Sequence, residues 1–183
     1  MGKAIGMVEY KTVSAGVLAT DAMVKTVDIN LVKAQTVCSG KYIAVISGSI
    51  SAVKAAIDAA QTLYTHQMIN CFVLGNPHEA IFLAINGKSS INDVSALGIL
   101  ETYDVSSIIV AADEAAKAAV VDLVELRLAK EMCGKSYLML TGEIAAVETA
   151  IERAKQVVDK DGMYLDSALM ANPDKKTWKT ILG

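Results

Sequence analysis

The stretch of sequence that decides the fold occurs twice. AIGMVE at residues 4–9 returns as ALGILE at residues 96–101, and GKYIAVISGSI at residues 40–50 returns as GKSYLMLTGEI at residues 134–144. Both pairs keep their order along the chain, and the spacing between the copies changes only from 92 to 94 residues. Collinear self-similarity of this kind indicates a duplicated structural unit.

The repeat covers most of the chain. Residues 4–37 align with 96–129 at ten identical positions, and residues 40–69 align with 134–163 at nine. Asn76-Pro77 returns once more as Asn172-Pro173. We therefore predict two domains, at residues 1–90 and 91–183, each large enough for a small core.

Composition narrows the class of protein. Hydrophobic residues make up 53% of the 183 residues, charged residues make up 20%, and the formal net charge is -3. The apolar content indicates that part of the surface meets another subunit. No apolar run is long enough for a membrane span and no secretory leader is recognisable, so a soluble cytoplasmic protein without a membrane partner is expected. Scattered basic residues on an acidic chain disfavour nucleic-acid binding.

Each half alternates strand with helix. In the first half the patterns predict a strand at 4–10, a helix at 12–27, strands at 30–37 and 42–47 around a turn, a helix at 51–67 and a strand at 69–74. A short helix at 79–85 closes this half, and residues 86–94 are predicted to form a linker. The order β-α-β-β-α-β predicts an α+β, ferredoxin-like fold with helices on one face of an antiparallel sheet.

The two copies differ at one chemically important turn. Cys38, in Cys38-Ser39-Gly40-Lys41, faces Met132 in the second copy, and Cys133 faces Ser39. Iron–sulfur clusters are normally held by several thiolates, so one chain with three cysteines is a poor cluster site by itself. A three-fold axis would bring three copies of Cys38 together; the alternative is a free thiol in a turn. Cys71 lies in a predicted strand, where it is interpreted as a core residue.

Several motifs together resemble a known family. AIG near the start, DAMVK at residues 21–25, the Gly-Lys turn and GSISAVKAA at residues 48–56 are similar to bacterial microcompartment shell domains. Two such domains in one chain resemble the tandem-domain shell proteins, which form pseudohexameric trimers that tile the facets of the shell. The resemblance implies a homotrimer that assembles with other shell proteins in a microcompartment.

Within that family, TVCSGK at residues 36–41 resembles the turn of the propanediol-utilisation type. The resemblance implies a central pore lined by two turns of each chain, with one 4Fe-4S cluster per trimer held by Cys38 as the metal ligand. Ser39 and Gly40 would bind the cluster through their amides, and an encapsulated or cytosolic redox enzyme would exchange electrons with it. The expected pore residues are Cys38, Ser39, Gly40, Lys41, Met132, Cys133, Gly134 and Lys135.

The resemblance also implies residues at the tile edge. Lys25 and Lys117 occupy matching helix positions that pack across the edge in the family, although a solvated helix lysine is the alternative. Asn76 and Asn172 stand where the family often has an arginine before proline. At these two positions of the tile edge, this sequence therefore departs from the family pattern.

No enzyme signature accompanies these motifs. His66 and His78 lie twelve residues apart without spaced metal-ligand partners, so no zinc site or catalytic residue is expected. Two alternatives to the cluster protein remain open: a metal-free, metabolite-conducting pore in which Lys41 and Lys135 attract anions, and a ligand-binding ferredoxin-like protein that never tiles.

Overall fold

Each repeat forms one antiparallel sheet with two helices. A computed structural model describes residues 4–87 and 95–182. The first repeat forms β1 (Ala4–Tyr10), α1 (Val13–Thr26), β2 (Asn30–Val37), β3 (Lys41–Gly48), α2 (Ile50–Tyr64), β4 (Met68–Gly75) and the short α3 (Ala80–Ile85). The second forms β5 (Ala96–Thr102), α4 (Val105–Ala118), β6 (Asp122–Arg127), β7 (Ser136–Gly142), α5 (Ile144–Asp159), β8 (Tyr164–Met170) and α6 (Lys175–Leu182). The predicted β-α-β-β-α-β order is confirmed in both copies.

The end of one helix differs from the prediction, and one predicted segment cannot be compared with the structure. The helix predicted to reach Gln67 ends at Tyr64, and Thr65–Gln67 forms a 3-10 turn that leads into β4. Residues 88–94, which contain most of the predicted linker and the predicted domain boundary at residue 90, lie outside the described residues.

Strand pairing is the same in the two sheets. The strand orders are β2-β3-β1-β4 and β6-β7-β5-β8, and every neighbouring pair is antiparallel. Met7 faces Val45 in the first sheet, and the equivalent Ile99 faces Met139 in the second. Because the side chains of a strand alternate between its two faces, this shared register places equivalent residues on the same face of each sheet. Met7 and Val45 are buried there, whereas Ile99 and Met139 are half-buried.

Short polar side chains cap the start of α1, α2 and α4. The hydroxyl of Thr12 accepts the N–H of Ala15 at the start of α1, and the carboxylate of Asp104 accepts the N–H of Ser107 at the start of α4. Such N-caps satisfy backbone donors that have no partner within the helix. Both helices of the first repeat pack on one face of its sheet, around a buried cluster that includes Val8, Ile46 and Val53.

A glycine allows the close approach of helix to sheet. A Cβ atom on Gly6 would lie 2.6 Å from Cγ1 of Val53 in α2, and one on Gly98 would lie 2.8 Å from Cγ1 of Val147 in α5. Contacts this short do not occur between real carbon atoms, so these two positions of β1 and β5 require glycine for packing.

The chain divides into two compact units. The first contains the residues up to Pro77 together with Ala129–Gly134, and the second contains His78–Leu128 and the residues from Lys135 onward. The short helix α3 therefore belongs to the second unit, where it packs against β6 and α4 and buries Ile81, Ala84 and Ile85. Its sequence closes the first repeat, but its apolar face is covered by the second unit. None of the described helices has the length and apolar character needed to cross a bilayer.

The Gly6 contact predicts a packing cost. Gly6→Ala should lower the free energy of unfolding by about 1–2 kcal/mol, because the new methyl group forces Val53 and its neighbours to move. Gly75→Ala is the matched control, since its Cβ would meet only Cδ1 of Ile50, at 3.8 Å. Urea denaturation of both variants measures the difference; equal stabilities would contradict the close-approach argument.

A buried tyrosine predicts a loss of stability in alkali. Burial, followed by the charges of Cys71 and Tyr64, raises the pKa of Tyr10 to about 12. Its hydroxyl donates to the carbonyl of Ala60 at 3.0 Å. Since the folded protein holds the neutral phenol, this stability is fully present below the ordinary tyrosine pKa of about 10 and is lost as the pH rises towards 12, up to about 2 kcal/mol.

The measurement is urea denaturation of wild type and Tyr10→Phe between about pH 8 and pH 12. The variant should be less stable at pH 8, where it lacks the hydrogen bond, and should decline less steeply above pH 10. Tyr103→Phe, at an exposed tyrosine, should follow the wild-type curve. A parallel decline of Tyr10→Phe and wild type would show that Tyr10 does not cause the alkaline loss.

Candidate functional site: the turn between β2 and β3

The turn that carries Cys38 is short and strained. β2 ends at Val37, Cys38–Gly40 make a single 3-10 turn, and β3 begins at Lys41. Ser39 has φ 65° and ψ 24°, and Gly40 has φ 73°, so two consecutive residues are in the left-handed region. Glycine adopts this region freely, whereas serine does so at a cost.

This turn projects into open space. Ser39 and Gly40 are exposed, and a Cβ atom on Gly40 would meet no atom of the chain within 4 Å. Cys38 is a free, half-buried thiol, and its backbone N–H donates to the carbonyl of Ala129 at 3.4 Å. The arrangement places a sulfur atom next to a surface where an external group can approach.

The equivalent turn of the second repeat has a different shape. Its strand ladder stops at the pair Arg127 and Tyr137, so the two pairs nearest the turn in the first repeat, Thr36 with Tyr42 and Val37 with Lys41, have no counterpart. The second repeat has two more residues at this point, and the strands are joined by a longer loop at residues 128–135. Ala129, Glu131, Cys133 and Gly134 all have positive φ there.

The loop residues differ in exposure. Met132 and Gly134 are half-buried, whereas Cys133 and Lys135 are exposed. Ala129–Gly134 belong to the first unit, which also contains Cys38. The structure therefore brings Cys38 near this loop through Ala129, but it does not give the second repeat a matching thiol turn.

Lys41 is held by an ion pair. Its Nζ lies 3.0 Å from Oε1 of Glu9, whose side chain is buried. A buried carboxylate needs such a partner, since removing one member of a buried pair leaves an uncompensated charge. A Cβ atom on Gly134 would lie 4.0 Å from Lys41 Nζ, so the ammonium group is also close to the loop backbone. The structure thus gives Lys41 a structural contact within its own chain, and its place at a pore stays a prediction.

Sequence reasoning missed Glu9 as the partner of Lys41. Both residues are identical in the two repeats, as Glu9/Glu101 and Lys41/Lys135, and they lie on neighbouring strands. Glu9 faces Ile43, two residues from Lys41, which makes Glu9 and Lys41 diagonal neighbours on the sheet. The register of β1 and β3 was the information needed to find the pair.

Cys71 belongs to the core of the first unit. It lies in β4 opposite Val8 and packs half-buried against the apolar cluster, as predicted. Burial, with a smaller contribution from the charge of Asp58, raises the pKa of this thiol. Since the thiolate is the form that binds metal, Cys71 is a weak candidate for a ligand. Within residues 4–87 and 95–182 of one chain, no three His, Cys, Asp or Glu side chains are grouped in a way that could hold a metal ion.

The four predicted edge residues lie on the surface. Lys25 is paired with Asp21 and Lys117 with Asp113, each at 2.6 Å, and both lysines are exposed. Asn76 and Asn172 are exposed, each beside a buried proline, and Asn76 has φ 51°. Their roles in contacts between tiles stay predictions.

Comparison with known proteins identifies the fold family. The BMC domain model matches residues 4–77 and again residues 96–173. The chain is 32% identical to the bacterial microcompartment shell protein PduT of Citrobacter freundii over 182 residues, which span 100% of this chain and 99% of the relative.

Solved structures agree with this assignment. A microcompartments protein from Desulfitobacterium hafniense DCB superposes with a TM-score of 0.94 and 36% identity, covering 98% of this chain and 99% of that one. The fused permuted hexameric shell protein of the RMM microcompartment has a TM-score of 0.60 at 23% identity, covers 86% of this chain and 82% of that one, and shows the fold alone. With two BMC domains in one chain and a full-length match to a shell protein, this chain belongs to the tandem-domain bacterial microcompartment shell proteins.

Proposed function

We propose that three copies of this chain form a tile of the shell facet, and that Cys38 of each copy binds one iron–sulfur cluster at the central pore. The observation that carries the proposal is the free thiol of Cys38 in a turn that projects into open space and that the second repeat lacks. Three chains would then supply three thiolates, the number that a cubane cluster on a three-fold axis requires if its fourth iron takes another ligand.

The residues around Cys38 fit such a group. The thiol is not in a disulfide, and the neighbouring residues Ser39 and Gly40 are exposed, so their side of the turn is accessible. The amides of Ser39 and Gly40 are the groups expected to donate hydrogen bonds to cluster sulfur, which tunes the potential. Met132, at the aligned position of the other repeat, has no thiolate to offer.

The cluster would supply one-electron chemistry when bound. The proposed role is therefore electron transfer across the shell to an encapsulated or cytosolic redox enzyme, without catalysis by the shell protein itself. Full-length similarity to a microcompartment shell protein supports assembly with other shell proteins. The pairing of Lys41 with Glu9 weighs against Lys41 as a free cation of a metal-free pore, because this ammonium already has a counter-ion.

The cluster predicts a defined iron stoichiometry. Wild type purified or reconstituted without oxygen should contain about four iron and four sulfide per three chains, with a charge-transfer absorption band. Cys38→Ala should lose the iron and the absorption band. Its assembly should keep the same mass in solution as that of wild type, since Cys38 is one small side chain in a turn.

Cys133→Ala is the matched control, because it removes the exposed thiol of the neighbouring loop. It should retain wild-type iron and sulfide. Iron-free wild type after reconstitution, or Cys38→Ala with undiminished iron, would overturn the cluster and favour the metal-free pore.

A further inference from the structure

The turn that presents Cys38 is held from two sides. Ser39 is in the left-handed region at φ 65°, which costs free energy for serine. Such a conformation persists where the surrounding contacts determine it. One contact is the hydrogen bond from the N–H of Cys38 to the carbonyl of Ala129. The other is the pairing of Lys41 with Val37 at the end of the β2–β3 ladder, so that a movement of Lys41 moves the turn.

Glu9 fixes the side chain of Lys41. The two residues lie on the neighbouring strands β1 and β3, with Lys41 Nζ 3.0 Å from Oε1 of Glu9. The side chain of Glu9 is 6% exposed and that of Lys41 is 32% exposed. Because the carboxylate is buried, water and salt screen this attraction less than they screen a pair of exposed ions. Glu9 thus compensates the charge of Lys41 beside the thiol turn.

Within the part of the chain that the structure describes, this ion pair accompanies the thiol. Glu101 and Lys135 are the equivalent residues of the second repeat, and no ion pair joins them among residues 4–87 and 95–182. Lys135 is exposed and precedes β7, whereas Lys41 is the first residue of β3. Identical residue types are therefore joined beside Cys38 and separate in the repeat that lacks the thiol turn.

We propose that Glu9 is a positioning residue for the iron–sulfur cluster. By binding Lys41 it fixes the turn that presents Cys38, and it compensates a positive charge that would otherwise act on the cluster. Reduction adds one electron to a cluster, so an uncompensated cation nearby favours the reduced state. Glu9 therefore keeps the reduction potential lower than a free lysine at this position would. This inference rests on the cluster proposed above and adds to it a residue outside the turn.

The proposed trimer multiplies the effect. Each chain brings one pair of Glu9 and Lys41 to the shared cluster, so that a substitution of Glu9 uncovers three ammonium groups. A unit charge at roughly 10 Å, in an effective dielectric constant of about 20, changes an equilibrium by at least about tenfold. For a one-electron couple, a tenfold change in the ratio of reduced to oxidised cluster corresponds to about 59 mV.

Glu9→Gln removes the charge and keeps the size of the side chain. The midpoint potential of the reconstituted cluster should rise by at least about 59 mV, the tenfold change. An anaerobic redox titration, followed by absorption and electron paramagnetic resonance, measures this shift without an assay of activity. A chelator should also remove iron about tenfold faster, because a partner that supports the ligand turn is weakened.

A double variant tests whether the charge of Lys41 causes the shift. Glu9→Gln combined with Lys41→Met removes both charges, so the potential should return to the wild-type value while iron release stays fast. Asp28→Asn is the matched control, since it also changes a carboxylate to an amide. Asp28 is exposed and precedes the eight residues of β2, roughly 25 Å of strand away from the turn. Because this exceeds two Debye lengths, the control should keep the wild-type potential and release rate.

Glu9→Asp keeps the charge but shortens the side chain, so it loosens the pair and keeps the test decisive if Glu9→Gln unfolds. It should raise the potential by a smaller amount. A wild-type potential in the folded Glu9 variants, or a double variant shifted as far as Glu9→Gln, would overturn the role of Glu9 and leave the cluster standing. Iron-free wild type after reconstitution would instead overturn the proposed function, and this inference with it.

Discussion

The antiparallel pairing of β3 with both β1 and β2 is the constraint on which the rest of the first unit depends. Its register sets where β2 ends and so places Cys38 at the turn rather than inside a strand. The same register makes Glu9 and Lys41 neighbours, which neutralises a buried carboxylate beside that turn. Helix α2 can press onto β1 only because Gly6 has no side chain. A one-residue slip of β3 would undo these placements together, because it would exchange the two faces of the strand.

Much of this architecture could be predicted from the sequence. The repeat, the alternation of strand and helix, and the position of the Cys38 turn follow from periodicity and from turn residues, which depend on local sequence. The core role of Cys71 follows from its place in an apolar strand. Local rules are sufficient for these features because each element buries its apolar face in the nearest sheet.

Other features depended on contacts that local patterns do not contain. The destination of α3 could not be predicted, since an amphipathic helix shows that it needs a partner but not which one. The loop at residues 128–135 shares Gly-Lys with the first turn, yet its ladder stops two pairs earlier. The partner of Lys41 likewise could be identified only from the register of β1 and β3. Duplicated sequence thus predicted equivalent elements, whereas the environments of equivalent residues had diverged.

The attachment of α3 has a thermodynamic consequence. Pro77, the last residue that precedes the second unit, is three residues from the first residue of α3, so this helix is tethered to the first repeat while it is buried in the second unit. A tethered partner acts at an effective concentration of roughly millimolar or higher, whatever the amount of protein in solution. Dilution therefore leaves α3 packed against β6 and α4 within the second unit. Because α3 and the strand and helix that bury it belong to one chain, the burial of Ile81, Ala84 and Ile85 does not depend on encounters between molecules.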